Sequence, residues 1–338
     1  MGVEIFFVLS GFIIAYSYFE SKWTVNGIRT FYIKRVSRIY PLYLLITIMT
    51  YTVFFLLRDP HSNIRTFLYN LFLVKGFSAD YYLTPVTAAW SLTTEMTFYA
   101  LFPLIVWAFA KKIPGIVQVI VFYLAGVIAW LVFRWMPFDG LFDTLNFTAF
   151  VTFFGRCAEF YFGIYLCRLF RSGKISGIQP ASIAKNRKWP FRTHLGLAGM
   201  ALLALGMAVY AHLGQFNPAR RFEGIFVYNI IFPLFIIIFL AGLLSEQGWI
   251  RSFFGNRWMV LLGKSSYAFF LLHTGVVAIA LEKYISTNPW VLFFALEAIS
   301  ILVYLWIERP LNKRTRKFLL KTLTRQDPKG HIPVPEGS

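Results

Sequence analysis

Charge is scarce in this sequence. Only 14% of its 338 residues are Asp, Glu, Lys or Arg, against about 25% in ordinary soluble domains. So few charges cannot cover a water-facing surface, which excludes a soluble globular enzyme. The 58% of hydrophobic residues excludes a disordered chain as well. Cysteine is nearly absent. Cys157 and Cys167 lie ten residues apart on one expected helix, about 15 Å apart at ~1.5 Å rise per residue, too far for a disulfide. No Cys/His clustering of the metal-binding kind occurs. The sequence also lacks the G-x-S-x-G elbow, the P-loop, G-x-G-x-x-G, H-E-x-x-H and any H-x-x-x-D pair. No repeat of fixed period is present. Any chemistry must come from groups embedded in an apolar scaffold.

What is present is a succession of long apolar runs, 20% aromatic in composition and with a mean hydropathy of +0.61. The expected fold is all-α, a polytopic transmembrane bundle with about nine spans at 3–19, 39–57, 88–110, 116–134, 147–167, 194–212, 224–244, 265–283 and 290–307. Segment 67–74 is too short to cross and reads as interfacial or re-entrant. Residues 1–310 form the expected bundle, with a loop at 168–193; residues 311–338 form a basic tail. Segments 171–193 and 325–338, rich in Pro, Gly, Ser and Lys, read as mobile.

The chain carries 33 Lys and Arg against 15 Asp and Glu. Assigned to alternate sides of these spans, 25 basic residues fall on one side and seven on the other, with Arg156 inside a span. This is a positive-inside pattern. It accounts for the net charge of +18 without nucleic acid and suits contact with anionic lipid headgroups. The C-terminus then lies inside and Met1 outside, so the topology expects one more helix upstream.

An ionisable residue in a span is costly and therefore a functional candidate. These are Glu4, Glu95, Arg156, Glu159, His273 and Glu297. Glu4 either marks a helix start at the interface or orients a proton-accepting group. Ser91, Glu95 and Tyr99 are spaced i,i+4 and form one polar stripe, with Trp90 pointing elsewhere. Arg156 and Glu159, at i,i+3, are expected to neutralise each other. Ser265 or Ser266 is a reasonable N-cap for the helix carrying His273. Glu297 has no supporting neighbours. In the basic run to Arg38, Arg35 and Arg38 are either membrane anchors or a guanidinium pair suited to phosphate. Pro41 is expected to break or kink the entry to the span at 39–57.

Four blocks in order carry a resemblance. GVEIFFVLSGFII at 2–14, KRVSRIYPLY at 34–43, WSLTTEMTFYALFP at 90–103, and SSYAFFLLH at 265–273 with IERP at 307–310 resemble the integral-membrane acyltransferase 3 family, whose members include bacterial O-antigen and exopolysaccharide O-acetylases. Glu4 stands where the family mostly has Asp, and Phe270 where Tyr is common. The family implies ten helices. The additional one precedes the first block and carries the presumed catalytic His; this sequence begins at the block itself.

The resemblance implies acyl transfer from acyl-CoA, usually acetyl-CoA, to a hydroxyl of a cell-envelope or exported carbohydrate. The setting would be the bacterial inner membrane, with a cytoplasmic C-terminus. Arg35, Arg38 and Tyr40 would hold the coenzyme, Glu4 and Glu95 would serve the chemistry, and Ser10, Trp90, Ser91, Tyr99, Tyr267 and His273 would face the acceptor. No metal and no nucleic acid is implied. Two other readings stay open: an inactive truncated paralogue or scaffold, and a transporter or flippase of lipid or glycan, for which buried carboxylates would couple protons.

Overall fold

The computed structural model describes residues 2–21, 23–59, 63–136, 138–175, 190–212 and 222–326. Most of loop 171–193 and nearly all of segment 325–338 lie outside them. In chain order the helices are α1 (Gly2–Tyr18), α2 (Val25–Leu56), α3 (Ile64–Leu71), α4 (Trp90–Ala110), α5 (Gly115–Phe133), α6 (Leu145–Val151), α7 (Phe153–Arg171), α8 (Phe191–His212), α9 (Phe222–Phe226), α10 (Phe232–Ser245), α11 (Trp249–Phe254), α12 (Arg257–Leu272), α13 (Val276–Tyr284), α14 (Pro289–Val303) and α15 (Arg309–Gln326). Short π-helical turns join α9 to α10 and α14 to α15. Among the described residues no strand forms; one isolated bridge pairs Ser78 with Leu141.

Among the described residues, six helices are long and apolar enough to cross a membrane: Val25–Leu56, Thr87–Ala110, Gly115–Phe133, Phe191–His212, Glu223–Ser245 and Pro289–Thr322. The α12–α13 pair, bent by 84°, makes up to seven. Three of the nine expected spans thus take other forms. Span 3–19 is α1, whose 17 residues reach about 26 Å at ~1.5 Å each, just short of a ~30 Å hydrocarbon core. Span 147–167 is interrupted at Thr152, which is extended (φ −83°, ψ 160°). Span 265–283 is the bent pair.

Segment 20–38 also differs from the connection expected there, because α2 begins at Val25, capped by the Thr24 side chain. It runs through Pro41 without a break. Pro41 has no N–H for the carbonyl of Ser37 one turn earlier. With its amide turned to donate, the Asn312 side chain on α15 lies 3.0 Å from that carbonyl. A partner from another helix therefore replaces the bond that proline removes.

The chain divides into two compact units. The first comprises residues 1–20, 73–82 and 90–260. Its centre is the packing of α1 on α7. A Cβ built on Gly11 would run into the backbone of Phe160, and one on Gly163 into the carbonyl of Val8. Only glycine at these positions lets the two backbones approach so closely, the usual device where lipid removes the hydrophobic drive between helices. Phe160 stacks on Phe7 of α1 at 4.8 Å and on Phe98 of α4 at 4.2 Å, all fully buried.

The second unit comprises 21–72, 83–89 and 261–338. Here α3 docks on α2 through fully buried Asn70. The Tyr43 hydroxyl donates to the Asn70 carbonyl at 2.8 Å. The Asn70 amide donates to the Tyr51 oxygen at 3.0 Å and the Thr66 carbonyl at 2.9 Å. In α12, Ser265 and Ser266 sit mid-helix rather than at its start, and bond to carbonyls of the preceding turn. The helix begins at Arg257, more than two turns earlier than a serine cap would place it, because Arg257–Gly263 continues the same apolar run.

These contacts give opposite expectations for two glycines. Gly163→Ala should destabilise by about 1–3 kcal/mol, the cost of overpacking. Gly263→Ala, where a Cβ meets nothing within 4 Å, should stabilise by up to ~1 kcal/mol through helix propensity. Thermal melts in detergent measure both.

Candidate active site

The α6–α7 interruption leaves three successive carbonyls, Ala149, Phe150 and Val151, without the usual helical partners. In an apolar medium each must be satisfied. Asn229, in the π turn before α10, donates to Ala149 at 2.8 Å and to Gly155 at 2.9 Å. The Thr94 hydroxyl of α4 donates to Val151 at 2.7 Å. Arg156 Nε donates to Phe150 at 2.7 Å. The broken helix is thereby held by α4, α7 and the π turn together.

Arg156 also pairs with two carboxylates. Its Nη1 lies 3.0 Å from Glu4 Oε1 and 2.6 Å from Glu159 Oε1. All three side chains are at most 2% exposed. Aromatic rings of Phe150, Trp90 and Phe7 surround the guanidinium at 4.8, 5.8 and 5.9 Å. The expectation that Arg156 and Glu159 only neutralise each other is therefore incomplete. The i,i+3 spacing shows the local pair; it gives no sign of Glu4, 152 residues away in sequence.

About 9 Å further along α1, at ~1.5 Å per residue, lies a second polar point. The Ser10 hydroxyl donates to Glu95 Oε1 at 2.9 Å, and the Tyr99 hydroxyl donates to the same oxygen. Ser91, one turn before Glu95, is fully buried, and Tyr99 is 4% exposed. Trp90 opens α4 and turns its ring towards Arg156. Helix α1 thus presents Glu4 and Ser10 within one unit, each tied to a buried charged side chain of a different helix.

The other candidates belong to the second unit. Arg35 is buried, with its guanidinium 5.9 Å from the Phe31 ring. Arg38, one turn on, is exposed. The Tyr40 hydroxyl donates to the Leu71 carbonyl, and Tyr267 donates to Ile39 at 2.8 Å. His273 ends the α12 run. Its Nδ1 faces the Phe270 carbonyl at 2.8 Å, and its ring stacks on Phe269 at 5.5 Å. A carbonyl only accepts, so Nδ1 carries a proton there and in the neutral ring Nε2 is the acceptor. Glu297 is half-buried on α14. Among the described residues no group of three or more His, Cys, Asp or Glu could hold a metal ion.

A family model described as "Acyltransferase domain" matches residues 1–309. The chain belongs to the acyltransferase 3 family. Its relatives in Staphylococcus aureus carry consistent names. One from strain COL, named "Putative O-acetyltransferase", is 24% identical over 94% of this chain and 54% of its own length. The O-acetyltransferase OatA of strain NCTC 8325 is 23% identical over 93% of this chain and 53% of its own length. The chain spans about half the length of the curated relatives it matches. No solved structure matches it. Within the first unit, Glu4 of GVEIFF pairs with Arg156 of RCAE, and Glu95 of WSLTTE accepts from Ser10 further along α1.

The Glu95 geometry gives a direct test. Ser10→Ala and Tyr99→Phe each remove one donor from a buried carboxylate and should each cost about 1.5–3 kcal/mol, typical of bonds to charged groups. Adding Glu95→Leu to the double variant should restore part of the loss, because no buried acceptor remains. Chemical denaturation of the detergent-solubilised protein measures the difference.

Proposed function

We propose that this chain transfers an acyl group, acetyl in the first instance, from acetyl-CoA to a hydroxyl of a cell-envelope or exported carbohydrate. The setting is the bacterial inner membrane, with the basic C-terminal region, residues 311–338, on the cytoplasmic side. The observation that carries the reading is a pair of buried carboxylates, Glu4 and Glu95, each supplied with polar partners inside an apolar bundle. Such groups are too costly in lipid to be retained for packing alone. Family membership and relatives named for O-acetyl transfer support it.

In the reaction the hydroxyl oxygen attacks the thioester carbonyl. A C–O ester bond forms and the C–S bond breaks. The hydroxyl proton passes to a general base oriented by a carboxylate and then to the departing thiolate, which leaves as coenzyme A. Glu4 and Glu95 are the carboxylates for this work. Arg35 and Arg38, helped by Tyr40, hold the coenzyme phosphates, since guanidiniums bind phosphate oxygens in bidentate fashion. Ser10, Trp90, Ser91 and Tyr99 contact the acceptor.

The test is release of coenzyme A from acetyl-CoA by the protein in native membranes, with a polysaccharide acceptor. Arg35→Ala and Arg38→Ala should each raise the KM for acetyl-CoA by about 10–100-fold, the equivalent of one charged hydrogen bond lost, with kcat changed much less. Absence of coenzyme release from the wild-type protein would overturn the reading.

A further inference from the structure

We infer that Arg156 is a positioning residue for acyl transfer: it fixes the Glu4 carboxylate, with Glu159 as its counter-anchor. The inference rests on the function proposed above and adds to it a residue that does not touch substrate.

Three anchors hold the guanidinium. Nη1 contacts both Glu4 at 3.0 Å and Glu159 at 2.6 Å, and Nε donates to the Phe150 carbonyl at 2.7 Å. Glu159 is on the same helix, so the Arg156–Glu159 pair exists whatever α1 does. Glu4 is the member that arrives from elsewhere. The third anchor exists because the helix is broken: in a continuous α-helix the backbone N–H four residues on would take the Phe150 carbonyl. The interruption at Thr152 therefore makes the seat in which Arg156 is locked.

A long side chain locked at both ends loses little entropy in holding a third group. The same interruption reaches the second acid. Val151, next to Phe150, accepts from Thr94, the residue before Glu95. One break thus sets the helix carrying Glu95 and the side chain that grips Glu4. Glu159 reaches Arg156 from the same helix, three residues on, which suits an anchor.

The experiment is a kinetic double-mutant cycle on the full-length protein in membranes, normalised to folded protein by gel filtration. Glu4→Gln and Arg156→Gln should each lower kcat about 100-fold, the scale of a mis-set catalytic group. The KM for acetyl-CoA should stay within about twofold. The double variant should be no slower than either single, since both remove the same interaction. Arg156→Lys keeps the charge but loses the Phe150 anchor, so it should recover at least about tenfold of the loss. Where Arg156→Gln does not fold, Arg156→Lys takes its place in the cycle, and non-additivity with Glu4→Gln remains the expected result. Multiplying losses in the double variant, or unchanged kcat per folded molecule in the Arg156 variants, would overturn the inference while leaving the acyl-transfer reading intact. An inert wild-type protein would overturn both.

Discussion

A positive side chain buried away from water must have partners, or the fold loses several kcal/mol. Arg156 meets that constraint with two carboxylates and a carbonyl, drawn from α1, its own helix and the end of α6. Much of the first unit is arranged so that these groups can meet. Gly11 and Gly163 bring the backbones of α1 and α7 together. Phe7, Phe98 and Phe160 fill the space beneath. The interruption at Thr152 releases the carbonyl that takes Nε.

The same constraint explains how irregular backbone survives at this depth. Irregular segments are tolerated in apolar surroundings only where other parts of the protein take their polar groups. Asn229, Arg156 and Thr94 each take one freed carbonyl in the first unit, and Asn312 takes the carbonyl that Pro41 leaves open in the second. In each case a polar side chain that reads as an isolated cost in one helix closes a deficit in another.

The all-α membrane architecture was legible from apolar runs alone, because hydrocarbon thickness fixes helix length. Runs 116–134, 194–212 and 224–244 fall on helices within a few residues of their expected ends. The shared helix face of Ser91, Glu95 and Tyr99 followed from i,i+4 spacing; all three are buried, and so are Leu92, Thr93 and Thr94 between them. Hydropathy could not show the break at Thr152 or the 84° bend after Leu272, since an average over a whole span carries no information on backbone direction. Pro41 misled for a related reason: its effect depends on whether a distant side chain can replace the lost bond, and Asn312 is 271 positions away. Arg156 was visible as an intramembrane charge. Its role was not, because a local acid at i+3 already supplies one partner and the pairing with Glu4 is purely tertiary.

A stability comparison bears hardest on the Arg156 cluster: the unfolding free energy of Arg156→Met against that of a fully neutral triple variant, Glu4→Gln with Arg156→Met and Glu159→Gln. A buried ion cluster broken on one side leaves uncompensated carboxylates. The single variant should therefore lose about 3–5 kcal/mol, and the triple variant, which buries no charge there, should regain most of it. A single variant as stable as wild type, or a triple variant less stable than the single, would contradict a structure organised around this guanidinium.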